Sequence, residues 1–159
     1  MCSVAYKLFI SYSAGADQVI ALRLQTLASV YGFTAYVPPL QTRQIGNRLL
    51  LEDVRRAIND VDLFLAVVTQ APSTAAVAEV EYARGLSRLI IPIVGPHVDR
   101  AFLQSFGQAF YIDPSNPGKV ETDILDFLQK SHTEKANRNL FVGLSALVVG
   151  LLILSATSE

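Results

Sequence analysis

Leu63-Phe64-Leu65-Ala66-Val67-Val68, held between Asp62 and Thr69, is six apolar residues in a row with no polar alternation. A run of this length, bounded by turn-forming residues, reads as a strand buried on both faces. Strands of that kind belong to parallel sheets covered by helices, because each parallel crossover lays a helix on the sheet. Leu89-Ile90-Ile91-Pro92-Ile93-Val94 repeats the pattern downstream. Between the two runs, residues 73–87 read as a helix. Upstream, Asn47 to Asn59 reads as another, with Leu50, Leu51, Val54 and Ile58 on its apolar side.

The same alternation continues to both ends. Residues 6–11 form a first strand, closing on Ser11-Tyr12-Ser13. Ala16 to Tyr31 carries Val19, Ile20, Leu22, Leu24, Leu27, Ala28 and Val30 near helical spacing, and Gly32 suits a left-handed stop. Phe33 to Val37 is the second strand, ended by Pro38-Pro39. Residues 102–108 read as a short helix, Ala109 to Ile112 as an outer strand and Val120 to Gln129 as a last helix. Five strand-helix repeats predict an α/β domain with a mostly parallel sheet. Ligands in such sheets bind beyond the carboxyl ends of the strands. That directs attention to residues 11–13, 38–46 and 69–79.

Composition narrows the function. Apolar residues make up 51% of the 159 and charged residues 17%, against about 25% charged in ordinary domains, which excludes a disordered chain. A net charge of −1 lacks the basic surplus of a phosphate-neutralising protein, so no nucleic-acid partner is expected. One cysteine, Cys2, excludes a disulfide framework or a cysteine-rich zinc site. His97 and His132 have no ligand spacing, so neither a metal nor a histidine triad is expected. No signal peptide is expected either, since the apolar stretch Leu8 to Ile10 is too short.

The carboxyl end differs in kind. Residues 131–139 are polar, and residues 140–156 run seventeen positions without a charge. As a helix they span about 26 Å, close to the hydrocarbon thickness of about 30 Å. Lys130, Lys135 and Arg138 precede the segment and only Glu159 follows it. These features predict a domain over 1–131, a linker over 132–139 and a transmembrane tail anchor over 140–156. The positive-inside rule then places the amino-terminal domain in the cytoplasm. Gly143, Ala146 and Gly150 share a helix face, which favours self-association in the membrane. The alternative is an apolar helix buried in a soluble oligomer.

Phe9-Ile10-Ser11-Tyr12-Ser13, Gly32-Phe33-Thr34-Ala35-Tyr36-Val37 and Glu79-Val80-Glu81-Tyr82-Ala83 before Ile90-Ile91-Pro92-Ile93 form an ordered set. Over residues 5–130 the chain resembles the TIR (Toll/interleukin-1 receptor) domain family, bacterial type. The resemblance implies a flavodoxin-like sheet of five parallel strands in the order 2-1-3-4-5, with the apolar helix appended. It implies cleavage of NAD, as substrate and not cofactor, at the nicotinamide-ribose bond, with a cyclic ADP-ribose product in some members. It also implies activation by self-assembly into a homo-oligomer and, in a bacterial host, anti-phage defence. Other members are non-catalytic scaffolds that signal by homotypic contact.

The family's catalytic pattern is W-x-x-x-E with alanine four residues on. Glu79 with Ala83 matches it, and Glu81 is the second choice, out of register by two. Ala75 stands where the tryptophan would be, which removes a stacking platform, and Pro38 stands where an aspartate often ends the second strand. The chemistry suits a lone carboxylate. Nicotinamide departs as a neutral base and leaves an oxocarbenium-like ribose that an anion stabilises. Outside the resemblance, Glu79 and Glu81 also read as solvated helix charges facing Arg84 or Arg88. Tyr12 and Ser13 are candidates to line the nucleotide pocket. Arg43 and Gly46 are candidates in the loop 38–46, Arg43 as a phosphate partner. No phosphate-binding G-x-G-x-x-G and no P-loop occurs, which sets aside other nucleotide folds.

Overall fold

The structure is a computed structural model that describes residues 6–13, 15–40, 50–98, 106, 109–113 and 115–136. In chain order these residues form β1 (Lys7–Tyr12), α1 (Gly15–Val30), β2 (Thr34–Tyr36), α2 (Glu52–Asn59), β3 (Leu63–Val68), α3 (Thr74–Gly85), β4 (Leu89–Val94), β5 (Phe110–Tyr111) and α4 (Pro117–Ala136). The five strands make one sheet in the order β2-β1-β3-β4-β5, and every pairing is parallel. The expected order 2-1-3-4-5 is therefore the observed one. Residues 1–5, the short helix expected at 102–108 apart from Phe106, and the apolar segment 140–156 lie outside the described residues. Among the described residues no helix is long and apolar enough to cross a membrane.

Side-chain alternation along each strand divides the core into two layers. Leu8, Ile10, Tyr12, Leu63, Leu65, Val67, Ile91 and Ile93 pack under α1 and α4. Phe9, Phe64 and Ala66 pack under α2 and α3 with Val54, Ile58, Val80 and Ala83. On this second face Tyr36, Phe9 and Phe64 stack across three adjacent strands, with centroids 5.5 and 5.0 Å apart. One row further along the same face lie Ser11, Ala66 and Pro92, in register across β1, β3 and β4. This row of small side chains is where α3 comes down on the sheet.

Several boundaries differ from the sequence reading. The second helix starts at Glu52, not Asn47: Leu51 is its extended N-cap and makes no side-chain cap bond. Leu50 packs on the core from the approach to the helix, which is why its spacing looked helical. Glu52 and Asp53 supply the negative charge that suits a helix start. On α1 the buried face is Asp17, Ala21, Leu24 and Ala28, spaced for one side of a helix. Val19, Leu22 and Val30, part of the same helical spacing in the sequence, are exposed.

The last helix runs to Ala136, so residues 132–136 of the expected linker are helical. Two of their side chains, His132 and Lys135, find partners at the amino-terminal edge of the sheet. His132 meets the rings of Tyr6 and Phe33 edge-on at 6.1 and 5.7 Å. Lys135 Nζ reaches Asp62 at 2.8 Å. Burial pushes the Tyr6 phenol up to about 12, against a pull the other way from the Ser131 hydroxyl and with a further push from Asp62 and Glu134. The unfolded chain gives up this proton near pH 10 and the folded chain holds it to about pH 12. Folding stability is therefore full below pH 10 and falls by about 2–3 kcal/mol as the pH rises to 12. Urea midpoints across that range should show the fall in the wild type and a much smaller one in Tyr6→Phe.

α1 and α3 end in the same motif. Phe33 N–H bonds back to Ala28 O at 2.9 Å and Gly32 N–H to Ser29 O, with Gly32 at φ +84°. Arg88 N–H bonds to Ala83 O at 3.0 Å and Ser87 N–H to Arg84 O, with Ser87 at φ +55°. Both are Schellman stops, but only the first has glycine at its left-handed position. A left-handed L-residue costs roughly 1–2 kcal/mol. Ser87→Gly should therefore stabilise the domain by up to about 1 kcal/mol after the entropy that glycine adds to the unfolded chain, visible as a higher Tm. A lower Tm would contradict the strain assigned to Ser87.

Candidate functional site

Of the buried polar side chains Ser11, Ser13, Asp17, Glu79 and Ser131, the first four lie at one end of the sheet. That end is the carboxyl-terminal edge of β1 and β3, where an α/β sheet holds its ligands. Such groups persist inside a fold only when hydrogen-bonded, and each of these four is.

Ser11 is the second-last residue of β1, and strand alternation turns it toward α3. Glu79 lies in the middle of α3, on the face with Ala76, Val80 and Ala83 that packs on the sheet. Its side chain is 1% exposed. The Ser11 hydroxyl donates to Glu79 Oε1 at 2.6 Å, joining residues 68 apart in sequence. The small neighbours Ala66 and Pro92 leave room for the carboxylate where a larger strand residue would fill the space. Glu81 stands about 200° further round the helix and is exposed. Of the two candidates, Glu79 is the one that faces the sheet, and the solvated reading applies to Glu81 alone.

Three further contacts hold the loops around this pair. Ser13 Oγ accepts the backbone N–H of Ser73 at 3.1 Å. Ser73 in turn caps α3 by accepting from Ala76 N–H at 3.2 Å. The loop after β1 is thereby tied to the start of the helix that carries Glu79. The Tyr12 hydroxyl donates to Pro38 O at 2.7 Å. Tyr12 is fully buried, so it supports the segment leaving β2 instead of presenting a face to solvent. Ser13 too is spent on structure, through its bond to Ser73. Arg43 and Gly46 lie outside the described residues.

Asp17, in the first turn of α1, was not singled out by the sequence reading. It is 2% exposed. It accepts from the Thr69 hydroxyl, and more distantly from the Thr69 backbone N–H at 3.4 Å. Thr69 follows β3, and the segment from there to Ser73 sets where α3 begins. Gly95, which follows β4, comes so close that a Cβ on it would lie 3.0 Å from the Thr69 Cα. The available signal for Asp17 was its place: an acid in the first turn of a helix, on the stripe that continues through Ala21, Leu24 and Ala28.

The arrangement offers two buried carboxylates at the rim of the sheet, Asp17 held by the Thr69 hydroxyl and Glu79 held by the Ser11 hydroxyl. Among the described residues no cluster of three His, Cys, Asp or Glu side chains is placed to hold a metal. The chemistry within reach of Glu79 is binding of hydroxyls and stabilisation of positive charge.

No family model matches the chain, and no curated protein sequence matches it. Solved structures do. The TIR domains of the activated Roq1 resistosome, a complex directly recognising the pathogen effector XopQ, superpose with a TM-score of 0.50 at 12% identity. The match covers 92% of this chain and 84% of that one. Strand order, the direction of every strand pairing and this superposition agree: the chain has the fold of a TIR domain.

Proposed function

We propose that this chain is a TIR enzyme that cleaves NAD between nicotinamide and ribose, with Glu79 as its catalytic carboxylate. The observation that carries the reading is Glu79 itself: an acid set on Ser11 at the carboxyl ends of the central strands, in a layer otherwise apolar. Burying an acid there costs folding free energy that an alanine or leucine would not, and such departures from packing logic concentrate at functional sites.

In the proposed step the ribose C1–nitrogen bond breaks and its electron pair leaves with nicotinamide. The ribosyl cation, stabilised by Glu79, is captured at C1 by water with loss of one proton, giving ADP-ribose. Capture by a ring nitrogen of the adenine would give a cyclic product instead. Ser11 holds the carboxylate in one orientation, so no reorganisation is needed as charge develops. A carboxylate this enclosed meets no substrate until the site opens. The reading therefore includes activation by self-assembly, and membrane tethering through residues 140–156, which raises local concentration.

One observation favours a second reading, a non-catalytic scaffold. Ala75 stands four residues before Glu79, where a tryptophan would stack on the substrate. Full-length protein in phospholipid vesicles, incubated with NAD and followed by chromatography, separates the two. Nicotinamide release that rises more steeply than protein concentration supports the assembled enzyme. NAD left intact at the highest protein density supports the scaffold.

A further inference from the structure

The last helix leaves the domain at a definite place. Its final turns are held at the amino-terminal edge of the sheet by Lys135 on Asp62 and by His132 against Tyr6 and Phe33. The uncharged segment begins at Leu140, four positions after Ala136. Even fully extended, four residues reach only about 14 Å. The inference rests on the membrane-spanning reading of 140–156: with that reading, the amino-terminal edge of the sheet lies at the bilayer surface.

The same edge carries exposed apolar side chains that no described residue covers. Val30 and Tyr31, at the end of α1, are 76% and 51% exposed, and Leu86 and Leu89, between α3 and β4, are 37% and 47% exposed. Parallel topology brings them together, since helix ends and strand starts share one edge. From β2 to β4 the sheet spans three strand spacings, about 14 Å, with Val30 and Tyr31 on the α1 side of it and Leu86 on the α3 side. Lys7 and Lys135 lie between them, and each already neutralises an acid, Asp60 and Asp62. The edge thus carries four exposed apolar side chains around two matched ion pairs, with a tyrosine whose ring and hydroxyl suit the headgroup boundary.

We propose that this edge is a membrane-contacting face, with Val30, Tyr31, Leu86 and Leu89 resting in the headgroup region. The domain then stands upright. Glu79 and Ser11, both buried, sit at the opposite end of strands about 20 Å long, so the sheet end that encloses them faces away from the lipid.

The chain contains no tryptophan, so a single introduced one reports its own surroundings. Full-length Tyr31→Trp and Leu86→Trp would be reconstituted into vesicles of phosphatidylcholine and phosphatidylglycerol, with brominated phosphatidylcholine as quencher. Tyr111→Trp serves as the control, because Tyr111 is 59% exposed and lies at the carboxyl-terminal edge. Brominated lipid should lower emission about twofold at positions 31 and 86, as for groups seated a few ångströms into the interface, and leave position 111 unchanged. Flotation of the vesicles reads the anchor separately. Protein that floats with no quenching at 31 and 86 overturns the membrane face and spares the anchor. Shielding at 31 and 86 that follows protein density without bromine quenching makes the edge a contact between copies, and also overturns it. Protein that does not float overturns both.

Discussion

Glu79→Gln should reduce nicotinamide release by about 100-fold or more, the order of loss when one preorganised electrostatic group is removed, and should leave the fold intact. Glutamine keeps the shape and an oxygen to accept from Ser11, so the buried hydroxyl stays satisfied. What disappears is the negative charge opposite the ribosyl cation. Glu79→Ala is the less clean test. It opens a cavity and leaves the Ser11 hydroxyl without this acceptor, a penalty of about 1–3 kcal/mol. Glu81→Gln, on the outer face of the same helix, should retain wild-type activity. Ser11→Ala should fall between them, since it frees the carboxylate without removing it. Near-UV circular dichroism on each variant separates loss of chemistry from loss of structure.

The largest expected loss of stability is at Phe9. This ring is fully buried and sandwiched between Tyr36 and Phe64 in the stack that binds β2, β1 and β3. Phe→Ala in such a site costs about 3–5 kcal/mol, a large share of the roughly 5–15 kcal/mol that holds a domain together. With a urea slope of about 1–3 kcal/mol per molar, the Phe9→Ala midpoint should drop by about 2 M. Val30→Ala, on the exposed end of α1, should shift it by no more than about 0.2 M, in keeping with surface substitutions. A Phe9→Ala midpoint close to wild type would mean that the aromatic stack is not the seam of the sheet.

The two central strands were legible to the residue. Leu63–Val68 and Leu89–Val94 are apolar without alternation, and burial on both faces is the physical reason along all of the first and over Ile91–Val94 of the second. Gly32 was legible because a left-handed stop has few other solutions. Contacts that join distant residues were not. Nothing local in the sequence tells that Ser11 meets Glu79 across 68 positions; only the register of β1 on β3 and the seat of α3 over Ser11, Ala66 and Pro92 bring them together. Asp17 was hidden because an acid in the first turn of a helix also reads as a dipole partner in solvent. α1 misled because apolar residues surround it, so periodicity could not tell the face of Ala21 and Leu24 from that of Val19 and Leu22. The extension of α4 to Ala136 was invisible because polar side chains hold it. Ser131, His132 and Lys135 look like a linker until Tyr6, Phe33 and Asp62 are placed beneath them. The motif register already put Glu79 ahead of Glu81, but that Glu79 turns inward onto Ser11 needed the structure.

The central claim is that the enclosed carboxylate of Glu79 does chemistry on NAD. The most direct measurement is nicotinamide release by the full-length protein in vesicles, for wild type, Glu79→Gln and Glu81→Gln at equal folded concentration. Release by wild type and Glu81→Gln, with Glu79→Gln reduced about 100-fold or more, is the predicted result. Turnover that survives Glu79→Gln, or that is lost with Glu81→Gln instead, would contradict the account.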